Sequence, residues 1–214
     1  MHKAAIARKN VAVGTTVFDE NFDNCDTGTG FGNCDESWST NEADFVVTAG
    51  EGPDASQAVL YVGTTGGFIS SDGNAFGAGD FEITFDFKID SGVADTDDVI
   101  YRTKDTNDDI GIQVYIIYDD PPTMRVRTYG HTEGYVTICT GEAIAEWYTV
   151  TIDNINWGAN TYDIDVSIRG GASQGNQTVE MLTTASDDLD ELNWSGSTTN
   201  VVDFRIDNLK IVEN

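Results

Sequence analysis

The chain has 214 residues, with 37 acids against 11 bases and a formal charge of −26. Such a balance excludes nucleic-acid binding through a diffuse basic surface. No apolar stretch is long enough for a membrane-spanning helix, and 22 glycines with only 3 prolines suit a chain of many short turns.

Residues 1–15 stand apart. They are basic, with Lys3, Arg8 and Lys9 beside His2, and show no core periodicity. The plain reading is a frayed tail. The sharper one is an arm that docks on another subunit of an assembly. Residues 1–17 hold no apolar run of seven, so no secretory signal is read there. Export would then follow another route, such as release with a virus particle, and the expected location is extracellular or on a virion surface.

Residues 16–22 (TVFDENF) read as a first strand that carries acids. Residues 24–41 form a loop holding Trp38, Cys25 and Cys34. The two cysteines bracket a glycine-rich DTGTGFGN segment and could close as a disulfide in an oxidising compartment. Cys139 reads as a small buried apolar residue in a strand, and the spacings of the three match no zinc pattern. Strands are expected over 44–48 and 58–62, with a Gly/Ser-rich connection over 63–79.

The clearest strand follows. Phe81, Ile83, Phe85, Phe87 and Ile89 alternate with Glu82, Thr84, Asp86, Lys88 and Asp90, so one face meets the core and the other meets solvent. Strands over 99–103, 110–118, 123–129 and 135–140, separated by turns, predict an antiparallel meander. Residues 147–155 and 162–169 predict a hairpin across 157–160. Residues 170–178 read as a polar loop, and the acidic 182–194 stretch as holding one short helical turn. In 201–212 (VVDFRIDNLKIV) the alternation of Val202, Phe204 and Ile206 slips by one residue before Leu209 and Ile211. A step of three inside a period of two predicts a β-bulge at Asp207-Asn208. This apolar last strand needs partners, and the first strand is the expected one.

An acid-bearing first strand beside a final strand reading I-D-N-L-K-I resembles the concanavalin A-like, or laminin G-like, jelly-roll sandwiches. These include lectins, glucanases, polysaccharide lyases and carbohydrate-binding modules. The resemblance spans residues 16–214 and implies an all-β, two-sheet antiparallel sandwich. It also implies a structural Ca²⁺ joining the first and last strands, with Asp19, Glu20, Asp23 and Asp207 as oxygen donors.

The chemistry is less explicit. Laminarinase-like members carry E-x-D-x-x-E on a strand, and no such hexapeptide occurs here. Asp163 and Asp165 read as a solvated strand face, which disfavours glycoside hydrolysis. A uronate lyase must neutralise a carboxylate and move a proton. Residues 102–131 offer the residue types for that: Gln113, Arg125, Tyr129 and His131. The lyase patterns R-x-E-L-R and Q-I-H are absent, since Gln113 is followed by Val114 and Tyr115. Without chemistry, Arg102, Gln113, Tyr115, Arg125, Arg127 and Tyr129 would form a glycan-binding patch on one sheet. Tyr101, Tyr118 and Trp157 are further aromatic candidates. The expectation is a non-catalytic module displayed on a virion or extracellular filament, docked through residues 1–15 and facing a cell-surface or marine polysaccharide. A polysaccharide lyase and a secreted carbohydrate-binding module are the alternatives.

Overall fold

The computed structural model describes residues 14–29, 31–40, 44–61, 67–71, 76–93, 99–120, 122–196 and 203–214. Lys3, Arg8 and Lys9 of the arm, and Val201 and Val202 of the expected last strand, lie outside them. Among the described residues there are strands and no helix. In chain order they are β1 (Thr15–Glu20), β2 (Trp38–Thr40), β3 (Phe45–Thr48), β4 (Ala58–Tyr61) and β5 (Phe68–Ser71). Next come β6 (Phe81–Ser91), β7 (Val99–Lys104), β8 (Ile110–Asp119), β9 (Thr123–Gly130) and β10 (Gly134–Ala143). The last five are β11 (Tyr148–Asn156), β12 (Thr161–Ile168), β13 (Ser173–Glu180), β14 (Glu191–Gly196) and β15 (Asp203–Glu213).

Two antiparallel sheets form a sandwich. One runs β13-β12-β11-β6-β15-β4-β3, with β1 also paired to β15; the other runs β10-β9-β8-β7-β14-β5-β2. The meander expected from the sequence is β7 to β10, and the predicted hairpin is β11 with β12. Phe85 of β6 joins the sheets. Its ring lies 4.8 Å from Tyr101 of β7 and 5.7 Å from Trp194 of β14. Each aromatic sealed here contributes roughly 2 kcal/mol of burial free energy.

The first and last strands pair, from Thr15 opposite Glu213 to Glu20 opposite Leu209. A register shift between Thr16 and Phe18 turns Val17 outward and Phe18 into the core. β15 also breaks register between Asp207 and Lys210, and Asn208 takes a φ of 51° there. The phase slip read from the sequence is this bulge. It divides β15 into a segment flanked by β4 and a segment flanked by β1. Because β1 starts at Thr15, the sandwich begins inside the expected arm boundary.

Several expectations fail. Residues 173–180 form β13 and not a loop, 68–71 form β5, 38–40 form β2, and 182–190 contain no helical turn. β13 is an edge strand in which Val179 is the only buried residue. With little apolar face to bury, it has no alternation for a sequence reading to detect. β2 and β5 are three and four residues long, too short to show a period.

Candidate functional site

The outward face of the seven-stranded sheet is built by register. One cross-strand row runs Ser39, Ser70, Asn193, Arg102 and Gln113. The adjacent row runs Phe68, Ser195, Ile100, Tyr115, Arg127 and Thr137. Alternation along β7, β8 and β9 sends Tyr101, Val114 and Val126 inward and turns these side chains to the outer side of the sheet, where Ser70, Gln113, Tyr115 and Asn193 are largely covered by their neighbours. Part of the first row lines a cleft of about 480 Å³ with Phe68, Lys104, Glu191 and Ser195.

Arg102 sits near the centre. Its Nη1 donates to Ser195 Oγ at 3.2 Å. With the Gln113 amide oriented to suit its neighbours, Gln113 Oε1 accepts from Arg102 Nε at 2.9 Å and Nη2 at 3.3 Å, and Nε2 donates to Tyr115 Oη at 3.2 Å. Partial burial pulls the Arg102 guanidinium below its ordinary value, with Tyr115 opposing. It remains a cation, since a guanidinium stays protonated in proteins. Lys104 is engaged differently, with Glu191 at 3.2 Å and Asp108 at 3.6 Å.

Beside this row lies an aromatic cluster. The Arg127 guanidinium lies 3.8 Å from the Tyr135 ring centre and 5.5 Å from that of Tyr115. Tyr135 meets Tyr129 at 4.8 Å and Tyr115 at 5.3 Å, both edge-on. Tyr135 is half exposed and so keeps ring surface toward solvent.

The sequence therefore placed Arg102, Gln113, Tyr115, Arg127 and Tyr129 on one face. It missed Ser39, Ser70, Asn193, Ser195 and Tyr135. The alternation Leu192, Trp194 against Asn193, Ser195 could have revealed β14, and Tyr135 could have been read as leading Thr137 along β10.

The lyase set does not assemble. Arg125 is bound to Asp119 at 3.4 Å, four residues from Tyr129 along β9, which is about 13 Å of strand. His131 lies beyond the strand. Its N–H donates to Met181 O at 2.9 Å, and it lines a separate cavity of about 130 Å³ with Glu180, Asn160 and Met181. Tyr101 is wholly in the core. Trp157 donates to Gly79 O at 3.0 Å and lines a third cleft, of about 500 Å³, at the tip of the β11–β12 hairpin.

The four expected calcium donors have separate surroundings. Among the described residues, no three of Asp19, Glu20, Asp23 and Asp207 bring ligand oxygens within 4.8 Å of one another. Asp19 faces Lys210 at 3.8 Å. Glu20 is fully buried and accepts from Phe22 N (2.7 Å), Glu36 N (3.0 Å) and Trp38 Nε1 (3.2 Å). These bonds make it a structural anchor for the loop after β1. Asp23 accepts from Gln57 N at 2.8 Å, and Asp207 from Ser56 Oγ at 3.0 Å and Asn208 N at 2.7 Å. Cys25 and Cys34 are joined in a disulfide, and Cys139 is a buried free thiol pushed up to about 12 by burial.

No protein-family model and no curated protein matches the sequence. Solved structures do match. A carbohydrate esterase from the Shiga toxin-encoding bacteriophage phi24B is 15% identical with TM-score 0.65, over 94% of this chain and 99% of that one. Lectin II from Ulex europaeus is 14% identical with TM-score 0.60, over 94% and 100%. The alginate lyase Aly36B in complex with alginate tetrasaccharide is 15% identical with TM-score 0.56, over 95% and 98%. The fold is the concanavalin A-like jelly roll. At these identities the likeness is one of fold, and the outer face must be judged on its own residues.

Proposed function

We propose that the chain is a non-catalytic module of a virion or extracellular filament, and that it binds an acidic polysaccharide on the outer face of its seven-stranded sheet. Arg102 carries the reading. It is a cation inside a cleft, held by Ser195 and Gln113 and met by neither with a charge. A uronate carboxylate could take its remaining donors as a charge-assisted pair. Ser39, Ser70 and Asn193 continue the row with groups suited to hydroxyls, and Tyr135 supplies a ring face. The rest of a molecule with charge −26 repels such a polymer, so binding would be confined to this face. The bacteriophage esterase, the lectin and the alginate lyase support the reading as holders of the same fold.

The test is affinity electrophoresis against alginate, glucuronan and ulvan beside neutral glucans. Retardation by a polyuronate, lost in Arg102→Ala and kept in Arg205→Ala, is expected. Failure to bind any polyuronate, or equal loss in both variants, overturns the proposal. Lyase activity would appear in the same mixtures as ultraviolet absorbance of an unsaturated product. For the display role, deleting residues 1–13 should abolish co-assembly and leave the sandwich folded, because β1 begins after the cut.

A further inference from the structure

A second cluster of oxygen donors lies at the end of the same sheet. The turn between β7 and β8 opens with Asp105, which is 2% exposed. Its Oδ1 accepts from Asn107 N at 2.8 Å and Asp109 N at 2.9 Å, and its own N–H donates to Asp109 O at 3.0 Å. Its Oδ2 is sealed from solvent and has no hydrogen-bond partner. A carboxylate oxygen buried without a donor costs several times the worth of an ordinary hydrogen bond.

The segment before β14 comes to meet it. Gly111 permits the approach: a Cβ there would sit 2.7 Å from Ser186 Oγ. Asp188 Oδ1 accepts from Thr106 N at 3.1 Å, and Oδ2 from Thr106 Oγ1 at 3.3 Å. Asp105, Asp187 and Asp188 each bring one carboxylate oxygen within 4.8 Å of the other two. Lys104, the nearest base in sequence, is committed to Glu191 and Asp108. Three converging carboxylates, one of them buried with an oxygen lacking a donor, therefore face one another with no ion pair to any basic side chain among the described residues.

We propose that Asp105, Asp187 and Asp188 bind one Ca²⁺. Only oxygen donors are present, which selects a hard cation. Ca²⁺ accepts six to eight oxygens in a flexible shell, whereas Mg²⁺ demands a near-ideal octahedron. Asp187 is exposed, leaving room for waters to complete the shell. The ion ties the β7–β8 turn to the chain entering β14. Those two strands carry Arg102 and Asn193, so it also braces one end of the cleft.

Calcium alone is the probe, so the outcome is independent of any glycan. Protein treated with EDTA and dialysed is titrated with CaCl2 by calorimetry and melted with and without it. One ion per chain is expected. At about one hundred times the dissociation constant, the midpoint should rise by roughly 5 °C or more. Asp187→Asn, at an exposed position that cannot compromise the core, should weaken binding by about tenfold or more. Asp105→Asn should abolish the response; if that variant fails to fold, Asp187→Asn carries the test. Asp207→Asn should bind as the wild type does. No heat and no shift, a response unchanged in Asp187→Asn, or a response lost in Asp207→Asn would each overturn the assignment.

Discussion

The two outer faces of the sandwich share a core and differ in how they treat charge. On the eight-stranded sheet every described base meets an acid. Lys88 pairs with Asp90 at 3.0 Å, Arg205 with Glu51 at 2.9 Å and with Asp90, and Arg169 with Asp86 at 2.8 Å and Asp54 at 2.7 Å. Surplus acids stand directly opposite each other there, as Asp153 does with Asp163. On the seven-stranded sheet Lys104 and Arg125 are likewise paired, with Glu191 and Asp119, but Arg102 meets a hydroxyl and an amide. One face neutralises its bases locally. The other keeps a guanidinium beside neutral groups, where a bound anion can reach it. In an acidic chain that difference is what the proposed binding surface rests on.

Breaking the shared core should erase both faces together. Phe85→Ala removes the ring between Tyr101 and Trp194 and should cost about 3–5 kcal/mol. That lowers the thermal midpoint by roughly 10 °C. Calorimetry should show a single transition for both sheets; two separate transitions would mean that they are independent units.

The next effect separates the faces by pH. Asp207 is buried at the β15 bulge and pushed up to about 7, first by burial and then by Asp23 and Asp86, against the bonds from Asn208 and Ser56. Its folded pKa lies above the unfolded carboxylate value of about 3.9. Between these values the folded state holds a proton that the unfolded state has lost, so this contribution to stability falls as pH rises from about 4 to about 7. Below that window the penalty is absent, and above it is fully present. Asp207→Asn should therefore stabilise the protein at pH 8 by about 1–3 kcal/mol and at pH 4 hardly at all. Melting curves of the pair in EDTA at several pH values give the difference directly. A pH-independent difference would show that Asp207 ionises normally.

Legibility in the sequence followed burial. β6, β11, β12 and β15 each set a full apolar row against polar residues, and the break before Leu209 disclosed the bulge. The pairing of first and last strands followed, because an apolar final strand must find partners. On the cleft face, Arg102, Gln113 and Arg127 could be phased from the core residues between them. Ser39 and Ser70 could not, because β2 and β5 are too short to show a period. Arg125 was phased the same way and lies on that face, where it is ion-paired to Asp119. His131 was grouped with the patch by nearness in sequence, and the end of the strand takes it elsewhere. Asp19 and Glu20 are adjacent in sequence but project to opposite sides of β1, one exposed and one buried.

The smallest effect tests whether acid crowding on the eight-stranded sheet is a real cost. Asp153 is raised above the ordinary carboxylate value by partial burial first, then by Asp163, Glu82, Asp165 and Asp80. Asp163 is engaged by Asn154 Nδ2 at 2.8 Å and by the Thr178 hydroxyl, so Asp153 is the better residue to neutralise. Like charges opposed across a strand pair cost a few tenths of a kcal/mol to about 1 kcal/mol. Asp153→Asn should return about that much at neutral pH, and less at low pH or in high salt, where protonation or screening already relieves the repulsion. The corresponding loss of charge on the other sheet, at Glu191, should instead destabilise, because it leaves Lys104 only its longer contact to the exposed Asp108. Urea denaturation of both variants at low and high salt compares the two signs. If both changes stabilise, the seven-stranded face is simply another acidic surface, and the contrast on which its binding role rests disappears.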